Sequence, residues 1–147
     1  MIRAASIFAI AVVTLAGCSR SVDDGPPHIK FGQDECAHCG MILSDERCAA
    51  AMIVKSGDEH TALLFDDIGD MIDYEREHAG ITVVRRYVHD FETRQWLDTS
   101  AATFLRSAQL STPMGSGIIA FADSNRAKAR QTEFAAELHP EFASLMK

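Results

Sequence analysis

Two cysteines and a methionine lie within six residues of one another, in Cys36-Ala-His-Cys39-Gly-Met41. Thiolate and thioether sulfur are soft donors that select Cu(I) over hard cations. Cys39 and Met41 are two residues apart, and Gly40 between them lets the backbone fold tightly around one ion. This spacing favours a soft, low-coordinate copper site from which the metal can be passed on.

Three other chemistries use the same segment. Thiol–disulfide exchange through Cys36-X-X-Cys39 normally needs a strand before the motif and a helix after it, and neither is evident. A tetrahedral zinc site needs a second ligand pair. His38 and Cys48 are available for it, but no second CxxC follows. A plain disulfide or a buried cysteine pair is the third alternative.

The N-terminus predicts export. Residues 1–17 carry one cation and a short apolar run, which is typical of a secretory signal and too short for a permanent span. Leu15-Ala-Gly-Cys18 looks like a bacterial lipobox, so cleavage is expected before Cys18, with a lipid anchor on its thiol. Lipidation leaves three thiols, an odd number, so at least one stays free or binds a ligand.

Residues 18–32 are mostly polar and contain Gly25, Pro26 and Pro27, which predicts a flexible tether. Residues 33–147 are then expected to form a single domain. The chain has 147 residues, with 14 Lys and Arg against 21 Asp and Glu, for a net charge of −7. This acidic balance argues against nucleic-acid partners.

Hydrophobic patterning predicts an α+β domain with a largely antiparallel sheet, built from repeated hairpin–helix (ββα) units. The first unit comprises strands 49–55 and 61–65 around a turn at 56–59, and a helix capped by Asp66. Its apolar face has Ile68, Met71 and Ile72, and Gly80 follows its end.

The second unit comprises a strand over 81–91, a partner at 95–97, and a helix capped by Asp98. A buried strand over 117–122 and a closing helix over 124–139 complete the order ββα-ββα-βα. The buried side chains of the last two helices are expected to be Ala101, Phe104, Leu105, Ala127, Phe134, Ala135 and Leu138.

Four sequence blocks behind a lipobox resemble the NosL family of periplasmic copper-chaperone lipoproteins. They are DECAHCGM at 34–41, FDDIGDM at 65–71, WLD at 96–98 and TPMGSGIIAF at 112–121. The resemblance implies a Cu(I) carrier that serves assembly of the copper centres of nitrous oxide reductase in denitrification. It also implies a partner in the membrane assembly machinery, with an ABC-type transporter, and a fold of ββα-type units like that of organomercury lyase.

The resemblance also implies which residues bind the metal. Cys39 and Met41 match the centre of the family motif and are the first-choice ligands. Cys36 matches its first cysteine, either as a ligand or as an exchange donor. Met114 matches another recurrent position, with a loop or core methionine as the alternative.

Other residues in or near these blocks have plainer interpretations. Asp66 and Asp67 match an acidic turn of the family, but an N-cap followed by a solvated acid is the preferred interpretation. His38 is expected to be an exposed loop residue. Cys48 lies outside the family pattern and could pair with Cys36 on oxidation. Three residues are expected in the core: Met52, Met71 and Trp96.

These observations favour a non-enzymatic metal carrier on the periplasmic side of the envelope. Ser19 after the lipidated cysteine favours the outer over the inner membrane. A CxxC thiol oxidoreductase is the enzymatic alternative. A lyase that cleaves carbon–mercury bonds would need paired thiolates and an acid, and no downstream cysteine completes that set. A structural lipoprotein with a disulfide is the third class.

Overall fold

A computed structural model describes residues 25–147, which form seven strands and three helices. The strands are β1 (Ala50–Ser56), β2 (Glu59–Phe65), β3 (Thr82–His89), β4 (Trp96–Asp98), β5 (Thr103–Arg106), β6 (Ile118–Phe121) and β7 (Glu137–His139). The helices are α1 (Ile68–Glu77), α2 (Ser124–Glu133) and α3 (Phe142–Leu145). The predicted signal peptide, the lipobox with Cys18 and the first part of the tether lie outside the described residues.

The strands form two antiparallel sheets. The first has the order β2-β1-β3-β4 and the second the order β6-β5-β7. A parallel bridge between Asp90 and Ala120 joins them, with the Phe91 amide donating to the Ala120 carbonyl at 2.8 Å. The predicted α+β class with largely antiparallel pairing is confirmed.

The first hairpin–helix unit is confirmed. Strands β1 and β2 pair from Ala50 opposite Phe65 to Ser56 opposite Glu59, and Gly57 in the turn has φ +64°. Helix α1 buries the predicted apolar face, namely Ile68, Met71 and Ile72. The next two strands are confirmed as well, with Val88 opposite Leu97.

The helix predicted after Asp98 is wrong. Asp98 caps only a single 3-10 turn over Thr99–Ala101, and the chain then enters strand β5. Phe104 and Leu105 are both buried, but in different hydrophobic clusters. Successive side chains of a strand point to opposite faces, so the adjacent residues Phe104 and Leu105 pack into two different cores. In a helix both side chains would have belonged to one apolar stripe. The second ββα unit is therefore not formed.

The predicted closing helix over 124–139 is correct only in its first part. Helix α2 ends at Glu133, and Ala135 has a φ of +45°, which a helix cannot contain. The chain then forms β7, in which Leu138 pairs opposite Leu105. Ala127 is buried as predicted.

The main core lies between the first sheet, α1 and one face of β5 and β6. Met52 and Met71 are fully buried in it, as predicted, and Trp96 is partly buried at its margin. Ile29 is also buried in this core, so the packed chain includes residues before position 33. Among residues 25–147, no helix has the length and apolar character needed to cross a membrane.

The contribution of His89 to stability should fall as the pH drops below 6.5. His89 is buried, its Nδ1 lies 3.0 Å from the Ala49 carbonyl oxygen, and its ring packs at a tilt against Trp96. Burial lowers the pKa of His89 below 6.5, outweighing the hydrogen bond to Ala49, which raises it. At His89 the unfolded chain therefore binds more protons than the folded one just below pH 6.5, so protonation of this residue favours unfolding.

Chemical denaturation at a series of pH values checks this expectation. Below pH 6.5 the free energy of unfolding should decline less steeply in His89→Phe, which keeps an aromatic ring and cannot titrate, than in the parent protein. Parallel pH profiles for the two proteins would show that His89 is not responsible.

Candidate metal centre

The cysteine motif forms a closed loop. The Cys36 amide donates to the Met41 carbonyl at 2.7 Å, and the Gly40 amide donates to the Cys36 carbonyl at 2.9 Å. An antiparallel bridge between Glu35 and Ile42 closes the loop outside these bonds. Gly40 has φ +73°, a left-handed conformation that glycine adopts without strain. We call residues 36–41 the cysteine loop.

The cysteine loop is fixed against the sheet. The Ala37 amide donates to the Leu64 carbonyl of β2 at 2.7 Å. Cys36 is only 3% exposed, whereas Cys39 is partly buried and packs against the main core. Cys36, Cys39 and Cys48 are all free thiols. The loop therefore offers one buried and one accessible sulfur.

Helix α1 adds a carboxylate to the two thiols. The Cys36 thiol donates to Asp70 Oδ2 at 3.3 Å. The sulfur atoms of Cys36 and Cys39 and a carboxylate oxygen of Asp70 all lie within 4.8 Å of one another, which is close enough to hold one metal ion. Sequence reasoning missed Asp70. The sequence feature that could have identified Asp70 is its position one helical turn after Asp66 and Asp67, in the same sequence block.

His38 contacts the other oxygen of Asp70 and is itself paired with Glu77. His38 Nδ1 lies 3.2 Å from Asp70 Oδ1, and His38 Nε2 lies 3.3 Å from Glu77 Oε2. Burial lowers the pKa of His38, but the hydrogen bond to Asp70 and the charges of both carboxylates raise it further, so the net change is upward. The expectation of an exposed loop histidine is wrong, because the His38 side chain is only 24% exposed and pairs with two acids.

Burial sets the protonation of the thiols. It raises the pKa of Cys36 to about 11 and that of Cys48 to about 12. Both thiols are therefore protonated at neutral pH, and a metal ion that binds Cys36 must displace its proton. Cys48 is fully buried and does not belong to the cluster of Cys36, Cys39 and Asp70.

The two methionines predicted as ligands are exposed, which is unusual for large apolar side chains. Met41 is 56% exposed and Met114 is 38% exposed. Met41 ends the cysteine loop, and Met114 lies in a segment between β5 and β6 that we call the methionine loop (residues 112–117). Met114 is therefore an exposed loop methionine, as in the alternative interpretation, and its assignment as a ligand stays a prediction.

Asp67 binds the methionine loop to helix α1. Its buried carboxylate accepts hydrogen bonds from the Thr112 hydroxyl at 2.5 Å, the Met114 amide at 3.3 Å and the Ser116 hydroxyl. The loop approaches the helix so closely that a Cβ added to Gly69 would lie 2.3 Å from the Ser116 Cβ. Asp70 thus holds the cysteine loop while Asp67 holds the methionine loop, and both belong to one end of α1.

Asp66 and Asp67 do not have the roles that the sequence predicted for them. Asp67, not Asp66, caps α1, since its side chain accepts from the Gly69 amide at 2.6 Å. Neither carboxylate is solvated, because Asp66 is also buried and accepts from the Ser44 amide at 2.8 Å. Donors from three separate segments of the chain satisfy these acids, which a local helix pattern does not reveal.

Gly40 should be needed for the shape of the cysteine loop. Gly40→Ala is expected to lower the free energy of unfolding by about 1–2 kcal/mol, because a left-handed conformation is costly for alanine. No atom lies within 4 Å of the added Cβ, so the backbone alone is responsible. Gly80→Ala is the control, since Gly80 also has open space and lacks a positive φ. Equal melting temperatures for the two variants would contradict this prediction.

Comparisons with known proteins agree with this architecture. The NosL family model matches residues 28–140, well over half of the chain. The crystal structure of the copper chaperone NosL from Shewanella denitrificans superposes with a TM-score of 0.66 at 18% identity, covering 78% of this chain and 92% of the other. No curated protein sequence matches the chain significantly. The structural likeness establishes a shared fold, and the family match establishes membership: the chain belongs to the NosL family.

Proposed function

We propose that the protein is a Cu(I) chaperone that binds one copper ion through cysteine and methionine sulfur. One observation carries this proposal: the cysteine loop and the methionine loop are both fastened to the first turn of α1, by Asp70 and Asp67. Two remote sequence segments that offer soft donors are thereby brought to one end of one helix. The structurally similar protein from Shewanella denitrificans is itself described as a copper chaperone.

The proposed ligands are Cys39, Met41, Cys36 and Met114. Cys39 and Met41 supply the accessible thiolate and thioether, and Cys36 adds a second thiolate within the same loop. Thioether sulfur needs no deprotonation and binds soft, monovalent copper in preference to harder cations. The exposure of Met41 and Met114 suits a site from which copper must leave.

We further propose that the copper is delivered for assembly of the copper centres of nitrous oxide reductase in denitrification. The proposed partners are the membrane assembly machinery for these centres and its ABC-type transporter. The signal sequence and the lipobox support attachment through Cys18 on the periplasmic side of the envelope, with the outer membrane favoured. Family membership supports this assignment, and a carrier needs no catalytic group.

Thiol–disulfide exchange is the alternative function that the paired cysteines suggest. A reactive CxxC pair normally begins a helix, whose N-terminus lowers the pKa of the attacking thiol. Here the pair lies in a tight turn, and burial raises the pKa of Cys36 to about 11. Both features disfavour a nucleophilic Cys36.

A competition titration distinguishes these functions. The protein is reduced without oxygen and titrated with Cu(I) against a chromophoric chelator, in parallel with Met41→Leu. We expect about one copper per chain and weaker binding in the variant, because leucine keeps the apolar volume but removes the sulfur. Failure of the parent protein to compete with even a weak chelator would refute the chaperone function. Disulfide reductase activity lost in Cys36→Ser and Cys39→Ser, but kept in Met41→Leu, would establish thiol exchange.

A further inference from the structure

We propose that a cavity beside the C-terminal helix α3 binds a small organic cation with an apolar body, such as an arylalkylammonium ion. The cavity has a volume of about 480 Å³, which is within the range of small-molecule sites. It lies between the second half of α1, strand β3, the 3-10 turn over Thr99–Ala101, and α3 with its capping residues Glu141 and Met146.

The cavity is separate from the metal centre. Glu75 lines the cavity and follows Asp70 by five residues on α1. An α-helix turns by about 100° per residue, so these two side chains leave the helix about 140° apart. Cys36, Cys39 and Asp70 do not line the cavity. Binding of an organic cation here therefore goes beyond copper carriage, and either function can fail while the other stands.

The walls of the cavity are held in place by two arginines. The Arg86 guanidinium forms a bidentate pair with the Glu75 carboxylate, in which Nε donates to Oε2 at 2.8 Å. The same guanidinium lies over the Phe142 ring, 5.5 Å from its centroid. Arg76 donates to the Met146 carbonyl at 3.1 Å and so ties the end of α3 to α1. Because these contacts exist without a ligand, binding requires little ordering of the protein.

The lining combines an apolar wall with one unpaired negative charge. Phe142 and Met146 supply the apolar wall. Arg86 neutralises Glu75, so the net charge of the ionisable groups in the lining is that of Glu141. Within the described part of the chain, the Glu141 carboxylate has no hydrogen bond and no ion pair. A ligand with a positive charge beside an apolar body complements both features.

A buried hydroxyl in the cavity wall has no partner. Thr99 lines the cavity and is only 7% exposed, and no group in residues 25–147 forms a hydrogen bond with its side chain. The neighbouring Ser100 hydroxyl, in contrast, donates to Asp98 Oδ1 at 2.6 Å. Buried hydroxyls are usually hydrogen-bonded, so the Thr99 oxygen is available to accept from an N–H of a bound ammonium group.

Three probes that share one body and differ in charge test the proposal. They are 4-phenylbutylammonium, 4-phenylbutanol and 4-phenylbutyrate. Each is titrated into the reduced protein while NMR follows the amide resonances of Ser100 and Met146. We expect saturable shifts with the ammonium ion, at a dissociation constant of about 1 mM. The alcohol should bind about twofold to fivefold more weakly, and the carboxylate more weakly still.

Four variants locate the binding. Ala143→Trp fills the cavity from an exposed position and should abolish the shifts. Glu141→Gln should remove the preference for the ammonium ion over the alcohol. Thr99→Val replaces the hydroxyl with a methyl group and should weaken ammonium binding by about twofold to tenfold. Glu137→Gln is the matched control, because Glu137 is an exposed acid of β7 outside the cavity, and it should change nothing.

Several results would overturn the proposal. They are the absence of saturable shifts with the ammonium ion, equal affinity for the three probes, unchanged binding in Ala143→Trp, and equal losses in Glu141→Gln and Glu137→Gln. Cu(I) affinity in Ala143→Trp should match that of the parent protein, which shows that this variant folds. If that variant fails to fold, the probe preference of Glu141→Gln decides between the outcomes. Failure of Cu(I) binding with ammonium binding retained would refute the chaperone function alone.

Discussion

Cys39→Ser is expected to lower the Cu(I) affinity by about 100-fold. Structural zinc in a zinc-finger peptide, with four ligands, is worth about 10–16 kcal/mol, or about 3 kcal/mol per ligand, and we take the same scale for one thiolate on copper. Each 1.4 kcal/mol corresponds to about a factor of ten in affinity. Cys39 is the accessible thiol of the cysteine loop, and serine replaces it with a hard oxygen of similar size. Competition with a chromophoric chelator measures the loss directly.

Cys48→Ser is the matched control for this experiment. Cys48 is also a free thiol, but it is fully buried and lies outside the cluster with Asp70. Its replacement buries a hydroxyl and should cost about 1–3 kcal/mol of stability, but it should leave the Cu(I) affinity unchanged. Equal affinity losses in the two serine variants would mean that the effect follows from altered folding, and Cys39 would then not be assigned as a ligand.

Asp67→Ala is expected to lower the free energy of unfolding by about 3–5 kcal/mol. The variant leaves four donors without their acceptor, and an unsatisfied buried polar group costs about 1–3 kcal/mol before the structure relaxes. The four donors are the Gly69 and Met114 amides and the Thr112 and Ser116 hydroxyls. Chemical denaturation measures the change, and Asp67→Asn should recover part of it by keeping one acceptor oxygen.

Asp123→Ala provides the comparison for this loss. Asp123 caps α2 as Asp67 caps α1, accepting from the Asn125 amide at 2.8 Å, but it is exposed. Its removal should cost only about 1 kcal/mol, the usual value for a helix cap. If both variants lost the same stability, Asp67 would be an ordinary cap and not the anchor of the methionine loop.

Asp67 should also affect copper binding through Met114. Without the carboxylate, the methionine loop loses its bonds to α1, and the backbone of Met114 is no longer fixed beside the end of the helix. Asp67→Asn is therefore expected to weaken Cu(I) binding in a protein that still folds. Met114→Leu should weaken it without a comparable loss of stability, because the side chain is partly exposed.

Local patterns predicted the first half of the fold well. The β1–β2 hairpin has two apolar strands around a turn with Gly57, and α1 has a clear apolar stripe of Ile68, Met71 and Ile72. The same kind of pattern gave a wrong prediction for the region after Asp98, which was expected to be a helix. Phe104 and Leu105 resemble a helical stripe, but β5 lies between two hydrophobic clusters and buries both of its faces. Only the tertiary packing distinguishes a helix with one apolar stripe from a strand that is buried on both faces.

The two thiols of the cluster with Asp70 were predictable from the sequence, and its carboxylate was not. The spacing of Cys36, Cys39 and Met41 indicates a soft-metal site from sequence alone, since one short loop holds all three. Asp70 comes from a helix 34 residues after Cys36, and nothing local connects the two. Pairing of His38 with Asp70 is equally non-local, so a loop histidine was expected to be exposed.

X-ray absorption at the copper edge of the Cu(I)-loaded, reduced protein tests the central claim most directly, because it identifies the atoms bound to the metal. We expect a monovalent edge and a first shell dominated by sulfur, at about 2.3 Å as for other metal–thiolate bonds. The sulfur count should fall in Met41→Leu and in Cys39→Ser. A first shell made only of nitrogen and oxygen would contradict a copper site built from cysteine and methionine.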